Sequence, residues 1–189
     1  MELFKGRTPH RPLRRDEIRL LRLLPGRFDD PIKCYLEHES LASAPCYDAL
    51  SYAWGDATQT LPIMLDDAPY PITTNLEAAL RYLRDPQGVL SLWVDAVCVN
   101  QLDIKERNTQ VPRMRDIFER AGRTVVWLGD YPPHKKESVD AAFAFLECVF
   151  EKIWSEIDSE AAVQSMIKDH GDDISVLNSI VQRPWFNRV

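Results

Sequence analysis

The sequence is poor in the residues that most often announce a site. Its four histidines, His10, His38, His134 and His170, stand apart from one another, and its four cysteines, Cys34, Cys46, Cys98 and Cys148, contain no CxxC pair. A structural zinc wants about four ligands, so Cys34 with His38 alone does not make a centre. Scattered single thiols, with Cys98 inside the apolar run LWVDAVCV, fit reduced and buried cysteines. No GxxxxGK[ST] loop, GxSxG elbow or HExxH helix occurs, which removes the P-loop, the hydrolase nucleophile and the zincin as starting points. The opening stretch MELFKGRTPHRPLRRDE lacks the apolar core of a signal peptide, and no run of about 18 apolar residues is present to cross a membrane. A cytoplasmic protein without a transmembrane segment is the expectation. Positive charge is also short, with 23 Lys and Arg against 29 Asp and Glu and a net charge of −6. A general nucleic-acid binder would carry a basic stripe, so no nucleic-acid partner is expected. The acid gathers after Glu137, whereas Arg7, Arg11, Arg14, Arg15, Arg19, Arg22 and Arg27 make the first 35 residues basic, either as a solvated face or as a surface for an anionic partner.

What is there describes a folded domain. Hydrophobic residues make up 45% and charged residues 28% of the 189 positions, and a chain of this length buries roughly 70% of its unfolded surface. IRLLRLLPG (18–26) and IKCYLEHESL (32–41) predict two strands of a hairpin, followed by a strand in YDALSYAW. LPIML and PYPIT flank Asp66-Asp67-Ala68 and predict a short second hairpin, which Pro69 and Pro71 confine to a sheet edge. Thr74 and Glu77 have the spacing of a capping box ahead of a helix that ends at Asp85-Pro86. LWVDAVCV (92–99) and TVVWLG (124–129) are short Val-rich runs, as expected of central parallel strands covered on both faces. Between them Glu106 to Ala121 has Val111, Met114, Phe118 and Ala121 at helical spacing, with Pro112 in conflict: either the helix bends there or its regular part begins near Gln110. Two further helices follow, one carrying Val139, Ala142, Phe143, Leu146, Val149, Phe150 and Ile153, the other running through Ile174 to Val181.

Alternating strands and helices predict an α/β fold with a central parallel sheet flanked by helices, decorated by an N-terminal and an inserted β-hairpin. Ligands in such sheets sit outside the carboxyl ends of the strands. Those ends supply Ser51, Trp54, Gly55 and Asp56 from the first strand, Asn100, Gln101 and Asp103 from the second, and Gly129, Asp130 and Tyr131 from the third. Together they offer an aromatic wall and carboxylate or amide groups for ribose hydroxyls, although Asp and Gly also close strands simply because they turn well. Asp95, mid-strand among apolar neighbours, must be hydrogen-bonded or functional. Asp103 and Glu106 are either a ribose-orienting or acid–base pair or the cap and first turn of a helix; Arg107 suits a phosphate or an intrahelical partner such as Asp103.

The blocks YDALSYAWGD, LWVDAVCVNQLDIKERNTQVPRMRDIFERAGRTVVWLGD and RPWFNRV, in that order, resemble the heterokaryon-incompatibility (HET) domain of filamentous fungi. The resemblance divides the chain into an N-terminal hairpin extension, residues 1–46, and a HET domain, residues 47–189. It implies a cytoplasmic effector of programmed cell death in non-self recognition, acting through self-association and under regulatory domains of the same longer chain or of a partner. HET domains are in turn distantly similar to Toll/interleukin-receptor (TIR) domains, of flavodoxin-like fold, some of which cleave the nicotinamide bond of NAD with a glutamate. That resemblance implies NAD or a related nucleotide as a substrate, with no permanently bound cofactor. The matching Trp-x-x-Gln-Glu block is expected after Val189, so the catalytic residue is not among these 189 and cleavage by this fragment is not expected. The alternative is a signalling adaptor with no chemistry.

Overall fold

The computed structural model describes residues 9–43, 45–130, 136–155 and 170–187. The chain divides into two units, Met1–Trp127 and Leu128–Val189, which are taken in turn.

In the first unit the apolar run of residues 18–23 becomes β1 (Glu17–Leu23), paired antiparallel with β2 (Lys33–Ser40) so that Glu17 faces Ser40 and Leu23 faces Cys34. Its other edge pairs antiparallel with β6 (Leu90–Trp93). With neighbours on both sides, β1 buries Ile18, Leu20, Leu21 and Leu23 completely, and Arg19 with them. Next come β3 (Asp48–Tyr52) and the hairpin of β4 (Thr60–Leu65) and β5 (Ala68–Thr73). Asp66 and Asp67 turn that hairpin at φ +48° and +61°, a left-handed backbone that Asp tolerates better than most residues.

Among the described residues one sheet of seven strands runs β5-β4-β2-β1-β6-β3-β7, with β7 spanning Arg123–Trp127. β3 is parallel to both β6 and β7, and β2 is parallel to β4. The expected α/β class is present, as a mixed sheet flanked by helices. The prolines of the inserted hairpin lie on the edge strand β5 as expected.

Four expectations need correction. The run 92–99 is not one strand: β6 stops at Trp93, and Asp95 opens the helical turn α2 (Asp95–Cys98). β7 is parallel to β3 but forms a sheet edge, with Val126 41% exposed, so it is not central. Helix α1 (Thr74–Leu83) is capped by Thr73, whose hydroxyl accepts from Leu76 N–H. Glu77 instead pairs with Arg81 one turn on, so no capping box forms. The segment 106–121 is two helices, α3 (Ile104–Gln110) and α4 (Met114–Arg120), joined by a 3-10 turn over Val111–Arg113 that accepts Pro112 near its start. Val111 is 56% exposed, and the residue that α4 buries fully is Ile117. Trp93 packs edge-on against Phe118 at 5.6 Å, tying the centre of the sheet to this helix.

In the second unit α5 (Lys136–Ser155) packs against α6 (Gly171–Val181), where Ala142 and Ile180 are buried. Phe143 and Leu146 of the expected apolar stripe are exposed by more than 40%. The rings of Phe145 and His170 stack at 4.4 Å. Arg183 Nη1 donates to the carbonyls of Leu128, Gly129 and Asp130 at 2.9–3.1 Å, closing the Gly129 turn at φ +96°. Trp185 and Phe186 lie in a 3-10 turn, Pro184–Asn187.

Candidate functional site

The carboxyl ends of β6, β3 and β7 come together because these three strands are adjacent and parallel. After Tyr52 the chain leaves β3 through Ala53 and Trp54 and reverses at Gly55, where φ is +75°; an L side chain there would be strained. The Trp54 indole N–H donates to Asp95 Oδ2 at 3.0 Å, while Asp95 Oδ1 accepts from Ala96 N–H at 2.8 Å. The carboxylate that would have been an anomaly in a strand is thus the first residue of α2, partly buried and held by a side chain from the neighbouring strand end. Gln101 Nε2 donates to the Asp95 carbonyl at 2.8 Å. Ser51 is half-buried in β3, opposite Val126.

Asn75, not foreseen from the sequence, ties α1 into the same rim. Its amide donates to Ala53 O and accepts from Trp127 Nε1–H at 3.0 Å. A weak signal existed in the polar residue just inside the first turn of a helix that follows the sheet edge. Asp56 belongs to the rim's outer turn: its carboxylate accepts from Thr58 N–H and Oγ1–H and from Gln59 Nε2. The Thr58 hydroxyl, then its amide, hold the Asp56 carboxyl below its ordinary value. Asp130 belongs to the second unit, where it is exposed and its carbonyl accepts from Arg183.

Asn100, Asp103 and Glu106 take part in a different construction. Asp103 caps α3 by accepting from Lys105 and Glu106 N–H. Glu106 meets Arg19, whose side chain has no exposed surface, in a two-pronged ion pair of 2.5 and 2.9 Å, and also accepts from Asn100 N–H at 2.7 Å. Arg19 donates further to the carbonyls of Cys98 and Arg11. Burial pushes the Glu106 carboxyl up, but the hydrogen bonds from Arg19 and Asn100 and the Arg19 charge outweigh it, so its pKa is lowered. Of the two readings of Asp103 and Glu106, the geometry supports cap and first turn; Arg107 is exposed on the same helix. Asn100, Asp103 and Glu106 line a cavity of about 280 Å³ whose other wall is residues 10–15. Arg19 was read as part of a basic lead; its partner 87 residues away gives no local signal.

Burial pushes the Cys98 thiol up to about 12, consistent with an inert core thiol rather than a nucleophile. No cluster of three metal-ligating residues occurs among the described residues, and no helix among them is long and apolar enough to cross a membrane. The strand-end rim therefore offers a part-exposed indole for stacking, an anchored carboxylate and amide groups, which suit holding a ligand with hydroxyls and a flat ring.

A profile of the family described as "Heterokaryon incompatibility protein (HET)" matches residues 47–189, the stretch that holds the whole rim. The chain belongs to the heterokaryon incompatibility family. It is also 33% identical over 207 aligned residues to "Heterokaryon incompatibility protein 6, OR allele" of Neurospora crassa, with 91% of this chain covered. The chain spans 30% of the length of that relative. No solved structure matches this HET chain. β1, β2 and the 10–15 wall precede the matched residues, yet β1 pairs directly with β6 of the HET region.

Proposed function

We propose that this chain is the effector region of a larger fungal protein that triggers cell death in heterokaryon incompatibility. In the same proposal the Trp54–Asp95 rim is its ligand site in the cytosol, taking NAD or a related nucleotide that the complete protein cleaves on self-association. The family match and the name of the Neurospora relative support the biological role. The observation that carries the ligand reading is the indole–carboxylate pair joining two adjacent parallel strand ends, where α/β sheets take their ligands. The order of strand-end residues, similar to that of TIR domains, supports NAD. The glutamate of the expected Trp-x-x-Gln-Glu block would supply the carboxylate for glycosidic cleavage.

The adaptor reading is favoured by a separate observation, the edge position of β7 with Val126 41% exposed, since an edge strand is a template for another chain. The full-length protein, forced to oligomerise, should consume NAD and kill its host, and Trp54→Ala or Asp95→Asn should abolish both. Intact NAD, with killing that survives those two changes and is lost on placing a lysine at Val126, would decide for the adaptor.

A further inference from the structure

Helix α3 turns Glu106 and the buried Gln110 inward, the first onto Arg19, and leaves its opposite face to solvent. At helical spacing Ile104, Arg107, Asn108 and Val111 share that face, and all four are exposed. Ile104 is 67% exposed, and Leu102, just ahead of the helix, is 93% exposed. A single exposed Leu or Ile is ordinary, but three large aliphatic side chains along one side of so short a helix form a contact surface. Lys105 and Arg107 stand beside them, and neither has an ion pair among the described residues. Of the carboxylates on this stretch, Asp103 is spent on the N-terminus of α3 and Glu106 on Arg19. The outer face of α3 is therefore aliphatic and positive. Helix α5 of the second unit carries the converse. Ala142 is buried, whereas Asp140, Phe143 and Glu147, at i, i+3 and i+7, follow one exposed line with Leu146 beside it. Asp140 and Glu147 likewise have no ion pair among the described residues. The line from Ile104 to Val111 and the line from Asp140 to Glu147 have the same reach, about 10 Å.

We propose that the α3 face of one copy of this chain receives the α5 face of another, with Leu102, Ile104 and Val111 against Phe143 and Leu146, and Lys105 and Arg107 against Asp140 and Glu147. The inference rests on the self-association in the proposed function and names the surfaces that make it. Opposite charge selects this pairing, because α3 on α3 or α5 on α5 would set like charges together. The contact is head-to-tail. A pair of copies still has one α3 face and one α5 face free, so further copies add until a ring closes or a filament grows.

The test is the mass of the 189-residue chain as a function of concentration, followed by analytical ultracentrifugation with no nucleotide added. Mass should rise with concentration and fall back as salt is added. Ile104 and Phe143 are exposed, so Ile104→Asp and Phe143→Lys should keep the native melting midpoint, and each variant alone should be a monomer. Mixed, the two should form a dimer and stop there, because the first supplies an intact α5 face and the second an intact α3 face. Arg107→Glu should weaken association by about tenfold, and the double variant Arg107→Glu, Glu147→Arg should recover it. A native chain that stays monomeric to about 1 mM, a face variant that still associates alone, or a mixture that stays monomeric would each overturn the proposal. Such a failure leaves ligand binding at the Trp54–Asp95 rim standing, whereas intact NAD in a forced oligomer leaves this contact standing.

Discussion

Removing the Glu106 carboxylate should be among the most damaging single changes in the first unit. Glu106→Ala leaves the Arg19 guanidinium with no exposed side-chain surface and no counter-charge, and breaking a buried ion pair from one side costs about 3–5 kcal/mol. For a chain of this size each kcal/mol moves the melting midpoint by about 2–4 °C, so the drop should be roughly 6–20 °C. Glu106→Gln preserves the shape and one acceptor, and should lose less. The double variant Arg19→Met, Glu106→Leu should fall short of the sum of its two singles by about 2 kcal/mol or more, since each single strands what the other removes. Denaturant unfolding of the four proteins measures that coupling. The pH dependence has a definite sign. The folded pKa of Glu106 lies below its ordinary value of 4.5, so its stabilisation is complete above that value and fades as pH falls through the folded pKa. The gap between native protein and Glu106→Gln should narrow below about pH 4 and stay constant above about pH 6. A single-variant loss under 1 kcal/mol, additive singles, or a gap that widens in acid would each refute the reasoning.

Trp93→Ala removes a side chain 1% exposed and its edge contact with Phe118; the loss should be about 3–5 kcal/mol, seen as a collapsed or absent cooperative transition. Pro112 sits near the start of a 3-10 turn, where its fixed φ suits the backbone, so Pro112→Ala should lower the midpoint slightly, by about 0.4–1 kcal/mol; a clear rise would mean that the proline strains the α3–α4 junction. Asp67 holds φ +61°, and Asp67→Gly should raise stability by about 0.5 kcal/mol by relieving the left-handed backbone; a lowered midpoint would show that the Asp67 side chain contributes more than its strain.

Local pattern was enough wherever an element is defined by its own residues. The β1–β2 and β4–β5 hairpins are written in alternation and in turn residues, and both occur as expected. Pattern failed where the same apolar letters serve two purposes. In 92–99, Leu92, Trp93 and Val94 are buried in or beside the strand, but Val97 and Cys98 are buried because α2 folds back; periodicity over so short a run cannot separate the two. Arg123–Trp127 has the composition of a covered strand, yet neighbours are a property of the whole sheet, and among the described residues β7 is paired with β3 alone. Trp54 was legible as a strand-end group and Asp95 as a carboxylate needing a partner, though in mid-strand rather than at the helical turn it opens, whereas Asn75 and the long-range Arg19–Glu106 pair required the fold.

The position of β3 bears on how the chain is made. Among the described residues β3 pairs with β6 and β7, and both are translated later. Roughly 40 residues separate the end of β3 at Tyr52 from the start of β6 at Leu90, which at about 5–20 residues per second leaves β3 without a partner for roughly 2–8 s. Meanwhile β1 and β2, already synthesised, can close their hairpin by themselves. A nascent chain paused within α1 would display Leu50 and Tyr52, buried in the finished sheet, on an open strand. Chaperone occupancy on ribosomes should therefore rise after β3 emerges and fall once β6 has emerged to join β1 to β3.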